Sequence, residues 1–356
     1  MFKNLKNEFQ NIHYGRKKAN FALFSLLSLG EFFYKGALEF KNFLYEKEIL
    51  KEEKMSPNVI CVGNLTTGGV GKTPIVIYLA NKISKTEKVA IVSRGYGAKL
   101  QNKEPNIIKD FNKIYFSDGL LCGDEAFQSA KSVGKNVVVI TCCDRKKAIL
   151  LAKEKFNINT VILDDGFSNR KVQKDKTILV VDSKMRFGTN HLLPLGPLRE
   201  EIKEIKRADV VVLTSKGDEE IESAILWARE QFVRKYKKEL RLCTLKPQKV
   251  YNLETKAEVV PTKKQKAIAF CAIGQPKQFF DFAKKYYDLK ECISFSDHYS
   301  YKKSDLEKLE KLAKEKETNI LITTQKDEVK LSSLIKGRTS FSYNVMELGI
   351  EITDLN

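Results

Sequence analysis

The sequence is poor in histidine, and its cysteines show no metal-binding spacing. His13, His191 and His298 are the only three histidines, so a histidine-rich metal centre is excluded. The seven cysteines are an odd number without a Cys-x-x-Cys pair, and most lie in apolar runs. This usage favours buried, reduced thiols in a cytosolic protein over a disulfide framework or a zinc site.

Acidic residues are also few in comparison with basic ones. Lys and Arg number 63 against 45 Asp and Glu, which gives a net charge of +18. Such a field attracts nucleic acid, anionic lipid headgroups or phosphorylated substrates. The alternative is a lysine-decorated surface without a specific role, because the lysines are spread along the whole chain. The sequence shows no cluster of residues that predicts a concentrated basic groove or an aromatic stacking platform, so we expect no nucleic-acid partner.

A long uncharged apolar run is missing as well. The Phe- and Leu-rich stretch "ANFALFSLLSLGEFFYKGALEF" (19–40) reaches its first charge at Glu31 after about a dozen residues, short of the ~20 that span a bilayer. It has no small-residue cleavage site, so we do not interpret it as a signal peptide. Basic residues flank or follow it, namely Arg16, Lys17, Lys18, Lys35 and Lys41. The pattern predicts an amphipathic helix at a membrane interface, or alternatively a helix packed on the protein's own core.

The length of 356 residues favours two domains. Short Val- and Ile-rich runs alternate with helical segments, which predicts an α/β fold with a mostly parallel sheet. The runs are 59–64, 88–97, 136–142, 160–166, 177–183, 208–215, 266–274, 289–295 and 319–324, with helices over 73–84 and 303–316. We expect an interface helix and linker at 1–54, a P-loop NTPase-like domain at 55–240, a two-stranded linker at 241–262 and a smaller α/β domain at 263–356.

The segment "VGNLTTGGVGKTP" (62–74) is close to a phosphate-binding loop of the form G-x-x-x-x-G-K-[ST]. Thr66 stands where the first glycine is usual, although the strand before and the helix after are in the right places. Backbone N–H groups of such a turn and the helix N-terminus attract phosphate. We therefore predict a nucleotide site made by Thr66, Thr67, Gly68, Gly69, Val70, Gly71, Lys72 and Thr73. Lys72 would neutralise the β- and γ-phosphates, and the Thr73 hydroxyl would face Mg²⁺.

A second carboxylate on a neighbouring strand is needed to hold that magnesium. "VILDDG" supplies Asp164 and Asp165 at a strand end, and the sequence leaves open which of them contacts the metal. The alternative is a turn with two capping aspartates. "TTQKDE" (323–328) resembles a GTP base clamp only loosely, because Asp327 follows Lys326 directly, and we therefore favour ATP.

Three further loops have an unusual composition: "CGDEAF" (122–127), "RFGTNHLLPLGPLRE" (186–200) and "SFSDHYSY" (294–301). Each by itself is explained by turn chemistry. Beside a phosphate loop, however, they suit catalytic and substrate loops at the carboxyl ends of strands. A kinase that acts on a hydroxyl needs a carboxylate or histidine near that hydroxyl.

The ordered segments "VGNLTTGGVGKTP", "VSRGYG", "GDEA", "DDGF", "FGTNHLLPLGPLRE", "AFCAIGQPKQFF", "SDHYSY" and "LITTQKDEVKL" resemble the tetraacyldisaccharide 4'-kinase family, the lipid A 4'-kinases. They run from residue 59 to about 331. The resemblance implies phosphorylation by ATP of the 4'-hydroxyl of tetraacyldisaccharide 1-phosphate. It also implies a peripheral enzyme on the cytoplasmic face of the inner membrane, and we expect a monomer.

The family's catalytic aspartate and histidine correspond to Asp124 and His298, with Lys72 as the third catalytic residue. His298 would orient Asp124, which would accept the proton of the acceptor hydroxyl. Residues expected to contact the lipid substrate are Arg94, Glu125, Arg186, Asn190 and Arg199. The family's "DDGFQH" reads "DDGFSN" here, so Ser168 and Asn169 replace Gln and His, and "FGNG" reads "FGTN".

Two other functions remain on the sequence alone. A regulatory P-loop ATPase would hydrolyse ATP without an acceptor and would not need the Asp124–His298 pair. A nucleic-acid-binding NTPase would use the positive charge.

Overall fold

The computed structural model describes residues 12–15, 20–96, 98, 103–116, 119–215, 221–273, 276–296, 299, 301–332, 334, 335, 337 and 340–355, with the backbone alone at 119, 120, 124 and 329. The chain forms two compact units. The first comprises Met1–Cys243 together with Ile352–Asn356, and the second comprises Thr244–Glu351. The second unit is thus inserted into the first along the chain. The domain limits predicted above stay a prediction.

The first unit is built on a parallel sheet. Its strands are β1 (Asn58–Gly63), β2 (Val89–Ser93), β3 (Asn106–Lys109), β4 (Val137–Thr141), β5 (Thr160–Asp164), β6 (Lys176–Asp182) and β7 (Val210–Ser215). They lie in the order β7–β6–β1–β5–β2–β4–β3. All of these neighbours pair in parallel except β3 and β4, which are antiparallel. The carboxyl ends of the six parallel strands therefore meet at one edge of the sheet.

Helices and turns cover this sheet on both faces. They are α2 (Lys72–Ile83), α3 (Gly119–Cys122), α4 (Asp124–Ser132), α5 (Arg145–Phe156), a 3₁₀ helix (Ile202–Arg207), α6 (Ile221–Ala228) and a π-helical turn (Arg229–Arg234). Every residue of β2, β4, β5 and β7 is buried. Burial on both faces explains why these strands read as continuous apolar runs and not as alternating ones.

The second unit has its own parallel strands. They are β10 (Lys266–Cys271), β11 (Asp288–Ser294), β12 (Ile320–Thr324) and β13 (Ser342–Asp354), in the order β11–β10–β12–β13. Its helices are α7 (Pro276–Tyr286), α8 (Lys303–Glu315) and α9 (Gln325–Leu331). Buried side chains such as Phe270 and Phe279 fill its interior.

Two strands carry the chain between the units. β8 (Glu239–Asn252) leads from the first unit to the second, and β13 leads back. The short strand β9 (Glu258–Val259) pairs with β8 in antiparallel fashion, with Val250 opposite Val259. The sequence suggested the extended stretches in 241–262 but not β13. After β13, the amide of Leu355 donates to the carbonyl of Leu240 at 2.9 Å, inside the first unit.

The N-terminal apolar stretch forms helix α1 (Phe21–Glu46), whose first turn is capped by the Asn20 side chain. One stripe of α1 faces the first unit, with Leu27, Leu38 and Asn42 buried. The other side exposes large apolar side chains: Phe21, Phe24, Leu26, Leu29, Phe32, Phe33, Phe40 and Phe43. The packing of α1 on the protein's own core is therefore confirmed for this stripe, and the membrane-interface interpretation of the exposed side stays a prediction.

Helix α1 continues through Glu31 for 26 residues in all. By length and composition it is able to cross a membrane, unlike the short uncharged run considered in the sequence, and 11% of its most apolar window is buried. The three cations predicted to precede the helix, Arg16, Lys17 and Lys18, lie outside the described residues.

The cysteines are unpaired, as the sequence predicted. Cys61, Cys122, Cys142, Cys243 and Cys271 are buried, Cys292 is half-buried and Cys143 is exposed. Burial raises the pKa of the Cys61 thiol, and the five buried cysteines act as small apolar groups of the interior.

Candidate active site

The glycine-rich loop 64–71 connects β1 to α2 at the sheet edge where the parallel strands end. Gly68 and Gly71 have φ angles of 102° and 87°, a region that side chains with a Cβ rarely adopt. Gly71 is the last residue before α2, which begins at Lys72. A glycine turn that leads into a helix N-terminus is the arrangement that binds phosphate groups.

Neighbouring segments hold this loop in place. The amide of Thr67 donates to the carbonyl of Pro197 at 2.7 Å. The Tyr14 hydroxyl donates to the Thr67 carbonyl at 2.7 Å, and the Thr214 hydroxyl donates to the Val70 carbonyl at 2.8 Å. Three separate parts of the first unit therefore fix the loop.

The side chain of Lys72 lies between an amide and a carboxylate. Its Nζ donates to Asn64 Oδ1 at 3.0 Å and is 3.7 Å from Asp165 Oδ1. Asn64 is completely buried, and its Nδ2 donates to the Thr66 carbonyl at 2.6 Å. Thr73, which follows Lys72 in α2, is also buried. Asn64 is a site residue that the sequence analysis did not single out.

Asp164 and Asp165 end β5 in very different environments. Asp164 is 2% exposed, and its Oδ1 has no hydrogen-bond partner among the described residues. Burial, assisted by the nearby charge of Glu125, raises the pKa of Asp164 to about 7. An unpaired buried carboxylate oxygen is costly unless another group binds it.

By contrast, both carboxylate oxygens of Asp165 have hydrogen-bond partners. It takes a left-handed φ of 57°, and both of its oxygens accept hydrogen bonds from Arg199, with each N···O distance at 2.8 Å. Burial alone would raise the pKa of Asp165. The hydrogen bonds from Arg199 and the charges of Lys72, Arg199 and Arg145 outweigh it and lower that pKa to about 2.

The structure places Arg199 on a carboxylate of the protein. Its Nη2 also donates to the Asn64 carbonyl at 3.2 Å and to the Asn64 side chain. The amide of Arg199 donates to the Leu65 carbonyl at 2.7 Å. The predicted contact of Arg199 with a lipid substrate stays a prediction, while the described contacts join it to the phosphate loop.

Arg145 is a second site residue that the sequence analysis missed. It opens α5, is 4% exposed, and donates to the Cys142 carbonyl at 2.5 Å and to the Asp164 carbonyl at 3.5 Å. Burial lowers its pKa, and the charges of Asp165 and Asp164 oppose that shift. The available signal was a cation in the first turn of a helix, where the helix dipole disfavours positive charge.

Four predicted substrate residues fall into two groups. Arg94 follows β2, and its charge lowers the pKa of Arg145, while the charge of Glu125 raises that of Asp164. Both residues are exposed near the carboxylates. Arg186 instead donates to Ser223 at 3.3 Å, and its guanidinium lies 5.0 Å from the centre of the Trp227 ring.

Asn190, the other member of the second group, is exposed with a left-handed φ of 63°, and its amide donates to the Phe187 carbonyl at 3.1 Å. These contacts attach Arg186 to α6 and Asn190 to its own turn. Neither residue is brought to the carboxylates by a described contact.

The predicted catalytic pair is only partly described. The backbone of Asp124 opens α4 after Gly123, whereas its side chain lies outside the described part of the chain. Asp297 and His298 lie outside it too. Tyr299, the next described residue, donates its hydroxyl to Asp305 at 3.1 Å. The pairing of Asp124 with His298 therefore stays a prediction.

Asn169, which replaces the family histidine, belongs to the turn after β5. Its Oδ1 accepts the amide of Lys171 at 3.0 Å, and its own amide donates to the Gly166 carbonyl at 3.1 Å. This is the local hydrogen bonding by which Asn stabilises turns. Ser168 beside it is exposed.

Comparison with known proteins places these features in a family. The sequence profile of the family described as tetraacyldisaccharide-1-P 4'-kinase matches residues 23–355. The tetraacyldisaccharide 4'-kinase of Halothermothrix orenii is 34% identical over 343 residues, which cover 92% of this chain and 88% of that protein. The enzyme of the same name from Aquifex aeolicus is 36% identical over 304 residues, covering 84% of this chain and 87% of that protein.

A solved structure is also similar. The crystal structure of LpxK from Aquifex aeolicus, described as an "apo" form in complex with ATP, superposes with a TM-score of 0.70 at 32% identity. The match covers 93% of this chain and 95% of that one.

Proposed function

Because the chain belongs to the tetraacyldisaccharide-1-P 4'-kinase family, we propose that it transfers the γ-phosphoryl group of ATP to the 4'-hydroxyl of tetraacyldisaccharide 1-phosphate. The product is the 1,4'-bisphosphate, an intermediate of lipid A biosynthesis. The bond between the γ-phosphorus and the β,γ-bridging oxygen breaks, and a bond to the 4'-oxygen forms. ADP leaves, and the hydroxyl proton passes to a base of the protein.

The observation that carries this proposal is the group of Lys72, Asn64, Asp165 and Arg199 around the phosphate loop. Phosphoryl transfer depends chiefly on positioning and on charges that stabilise the transferring group. Lys72, at the N-terminus of α2, supplies a cation where the β- and γ-phosphates of ATP would lie. Asn64 orients its ammonium group before the nucleotide arrives.

The residues of this site also fit a magnesium ion. The buried Oδ1 of Asp164 has no hydrogen-bond partner among the described residues and is available as an oxygen ligand, and Thr73 follows Lys72 in the first turn of α2. Both oxygens of Asp165 are already taken by Arg199. We therefore assign Asp164 and Thr73 as the magnesium-binding residues and Asp165 as the residue that orients Arg199 and Lys72.

Magnesium, when bound, neutralises charge on the phosphate oxygens during transfer. Among the described residues, no three His, Cys, Asp or Glu side chains form a metal cluster. This agrees with a hard cation held by one or two protein oxygens together with substrate phosphates and water.

The acceptor hydroxyl would be activated by Asp124. That role comes from the family motif, and it is supported by the placement of Asp124 at the start of α4, next to Glu125, whose charge acts on Asp164. His298 would hold Asp124 in its ionised form and in the right orientation.

The substrate is a lipid, so the enzyme has to reach a bilayer. We propose that the exposed Phe and Leu side of α1 inserts among lipid headgroups, with the net charge of +18 attracting anionic lipid. The inner side of α1 is bonded to the protein, for example through Lys41 and the buried Glu200 at 3.2 Å. These contacts support a helix that lies on the membrane surface and does not cross the bilayer. By the family resemblance we expect a monomeric peripheral enzyme at the cytoplasmic face of the inner membrane.

The test is a phosphoryl-transfer assay. Purified protein, Mg-ATP and tetraacyldisaccharide 1-phosphate in detergent are incubated, and the lipid is analysed by mass spectrometry. Lys72→Ala and Asp124→Ala should each abolish the added phosphate, whereas Lys82→Ala, an exposed lysine in the last turn of the same helix, should not. ATP hydrolysis that ignores the lipid and survives Asp124→Ala would favour a regulatory ATPase instead.

A further inference from the structure

Two side chains on the inner side of α1, Glu31 and Tyr34, bond a segment that leads directly to the site. This segment, 191–199, ends at Arg199. It is tightly folded on itself, because the amide of Gly196 donates to Leu192 at 2.8 Å and the amide of Leu198 donates to His191 at 3.1 Å. The position of the segment therefore fixes the position of Arg199 at its end.

Glu31 holds the beginning of this segment. Its Oε1 accepts the amide of Leu192 at 2.6 Å, and its Oε2 accepts a hydrogen bond from His191 Nδ1 at 3.0 Å. Gly30 beside it has no room for a side chain, since a Cβ there would lie 2.8 Å from the Pro194 ring. Helix and segment are thus in close contact where Glu31 binds.

Tyr34 holds the end of the segment. Its hydroxyl donates to the carbonyl of Arg199 at 2.9 Å, and its side chain is half-buried. The amide of Arg199 is bonded to Leu65 at 2.7 Å in the loop after β1. The backbone of Arg199 is therefore fixed by α1 on one side and by the phosphate-binding loop on the other.

This arrangement determines where the guanidinium of Arg199 lies. Two parallel hydrogen bonds to Asp165 require the side chain to approach in the plane of the carboxylate, and a small shift of the backbone would break one of them. The same segment also restrains the phosphate-binding loop, because the carbonyl of Pro197 accepts a hydrogen bond from the Thr67 amide at 2.7 Å.

We propose that Glu31 and Tyr34 are positioning residues for catalysis: α1, besides its proposed contact with the membrane, sets the Arg199–Asp165 pair in its working geometry. This inference rests on the proposed kinase function. It differs from a purely anchoring role, in which these contacts would only keep α1 attached to the protein.

The deciding experiment uses the full chain in detergent, where recruitment to a bilayer plays no part. Tyr34→Phe removes only the hydroxyl that holds Arg199. The matched control is Tyr45→Phe on the same helix, since the described contact of Tyr45 is made by its ring, 4.4 Å from the Arg170 guanidinium. Steady-state parameters for ATP and for the lipid are measured together with the equilibrium binding of ATP in the presence of Mg²⁺.

Tyr34→Phe should lower kcat/KM for ATP by about three- to tenfold, the equivalent of one neutral hydrogen bond, and should weaken ATP binding in proportion. The KM for the lipid and the melting temperature should stay close to the wild-type values. Tyr45→Phe should change none of these. Glu31→Ala should behave as Tyr34→Phe does, whereas Glu31→Gln should be partly rescued because an amide oxygen still accepts the Leu192 amide.

A double-mutant cycle separates positioning from anchoring. In an Arg199→Lys background, which already lacks the bidentate contact, Tyr34→Phe should cause no further loss in kcat/KM for ATP. Losses that multiply, or a lowered melting temperature with unchanged parameters for ATP, would overturn the inference.

The wild-type protein in the same assays distinguishes the two levels of proposal. Absence of lipid phosphorylation with ATP binding intact would refute the kinase proposal, while the binding measurements on Tyr34→Phe and Tyr45→Phe would still decide the role of α1. A wild-type protein that binds no ATP would overturn both.

Discussion

Arg199 donates two parallel hydrogen bonds to the carboxylate of Asp165, each with an N···O distance of 2.8 Å. This contact separates two adjacent carboxylates in their chemistry. Asp165 is kept ionised with a pKa of about 2, whereas Asp164, which has no such partner in the described part of the chain, has a pKa of about 7. Two consecutive aspartates thus differ in character: Asp165 is a fixed anion, and Asp164 is the residue that we propose as a magnesium ligand.

Replacing Arg199 by Lys should lower kcat/KM for ATP by about ten- to a hundredfold. Lysine keeps the charge but replaces the planar fork by a single ammonium group, so that one charge-assisted hydrogen bond is lost. The control is Arg234→Lys, at an exposed arginine that pairs with Glu230 on the surface. Equal activity of the two variants in the lipid phosphorylation assay would mean that the paired geometry has no part in catalysis.

Asp164→Asn should change how stability depends on pH. In the folded, metal-free protein Asp164 stays protonated up to about pH 7, while in the unfolded chain it ionises near its ordinary pKa of 3.8. The folded state therefore binds more protons between these values, and stability falls as pH rises through this window, by up to about 1.4 kcal/mol per pH unit. The neutral amide removes this loss, so the variant should gain stability relative to wild type between pH 5 and pH 8.

Urea unfolding without Mg²⁺ or nucleotide measures the effect, and Asp165→Asn provides the contrast. The pKa of Asp165 is lowered to about 2, so it is ionised in both states above its ordinary pKa of 3.8. The stability that Asp165 contributes is lost only as the pH falls toward 2, and Asp165→Asn should therefore differ from wild type by the same amount at pH 5 and at pH 8. Two parallel curves for Asp164→Asn and wild type would contradict the assignment of a raised pKa.

Asn169→His, which restores the residue of the family motif, should not raise activity. Asn169 supports the turn after β5 by accepting the Lys171 amide, and its loss should cost about 1 kcal/mol of stability. Asn169→Asp keeps the acceptor oxygen and should be close to wild type. A several-fold increase in kcat for Asn169→His would instead show that the site has room for a histidine that takes part in the reaction.

The exposed side of α1 should govern binding to lipid vesicles. Changing Phe32, Phe33 and Phe40 together to Ser should weaken cosedimentation with anionic vesicles about a hundredfold or more, since each buried Phe contributes about 1.5–3 kcal/mol. Activity on micellar substrate should be retained. Leu226→Ser, at an exposed apolar residue of α6, is the control and should leave vesicle binding unchanged.

Much of the first unit was predictable because its signals are local. Apolar runs bounded by polar residues gave strands within about two residues of β1, β4, β5 and β6, and the Gly-Lys-Thr motif gave the start of α2. Motif order also led to the family. Strand-end residues of a parallel sheet meet at one edge, so the nearness of Lys72 to Asp165 followed from topology.

What could not be predicted depends on contacts between distant parts of the chain. No local pattern shows that Arg199 lies on Asp165, 34 positions earlier, or that Glu31 accepts the Leu192 amide. Nor does any local pattern show that Arg145, at the start of a helix, is buried. β13 was missed because "SYNVMELGIEITD" mixes charges and apolar residues, and its burial is complete only near its beginning.

The two-way passage of the chain through β8 and β13 has a consequence for synthesis. Residues 352–355 belong to the first unit, where Leu355 is bonded to Leu240 and Asp354 lies 2.9 Å from Arg241. The first unit is therefore complete only after residues 352–355 have been translated, whereas all residues of the inserted unit have been translated before them. A nascent chain that has reached residue 351 would carry a complete second unit and an unfinished first one.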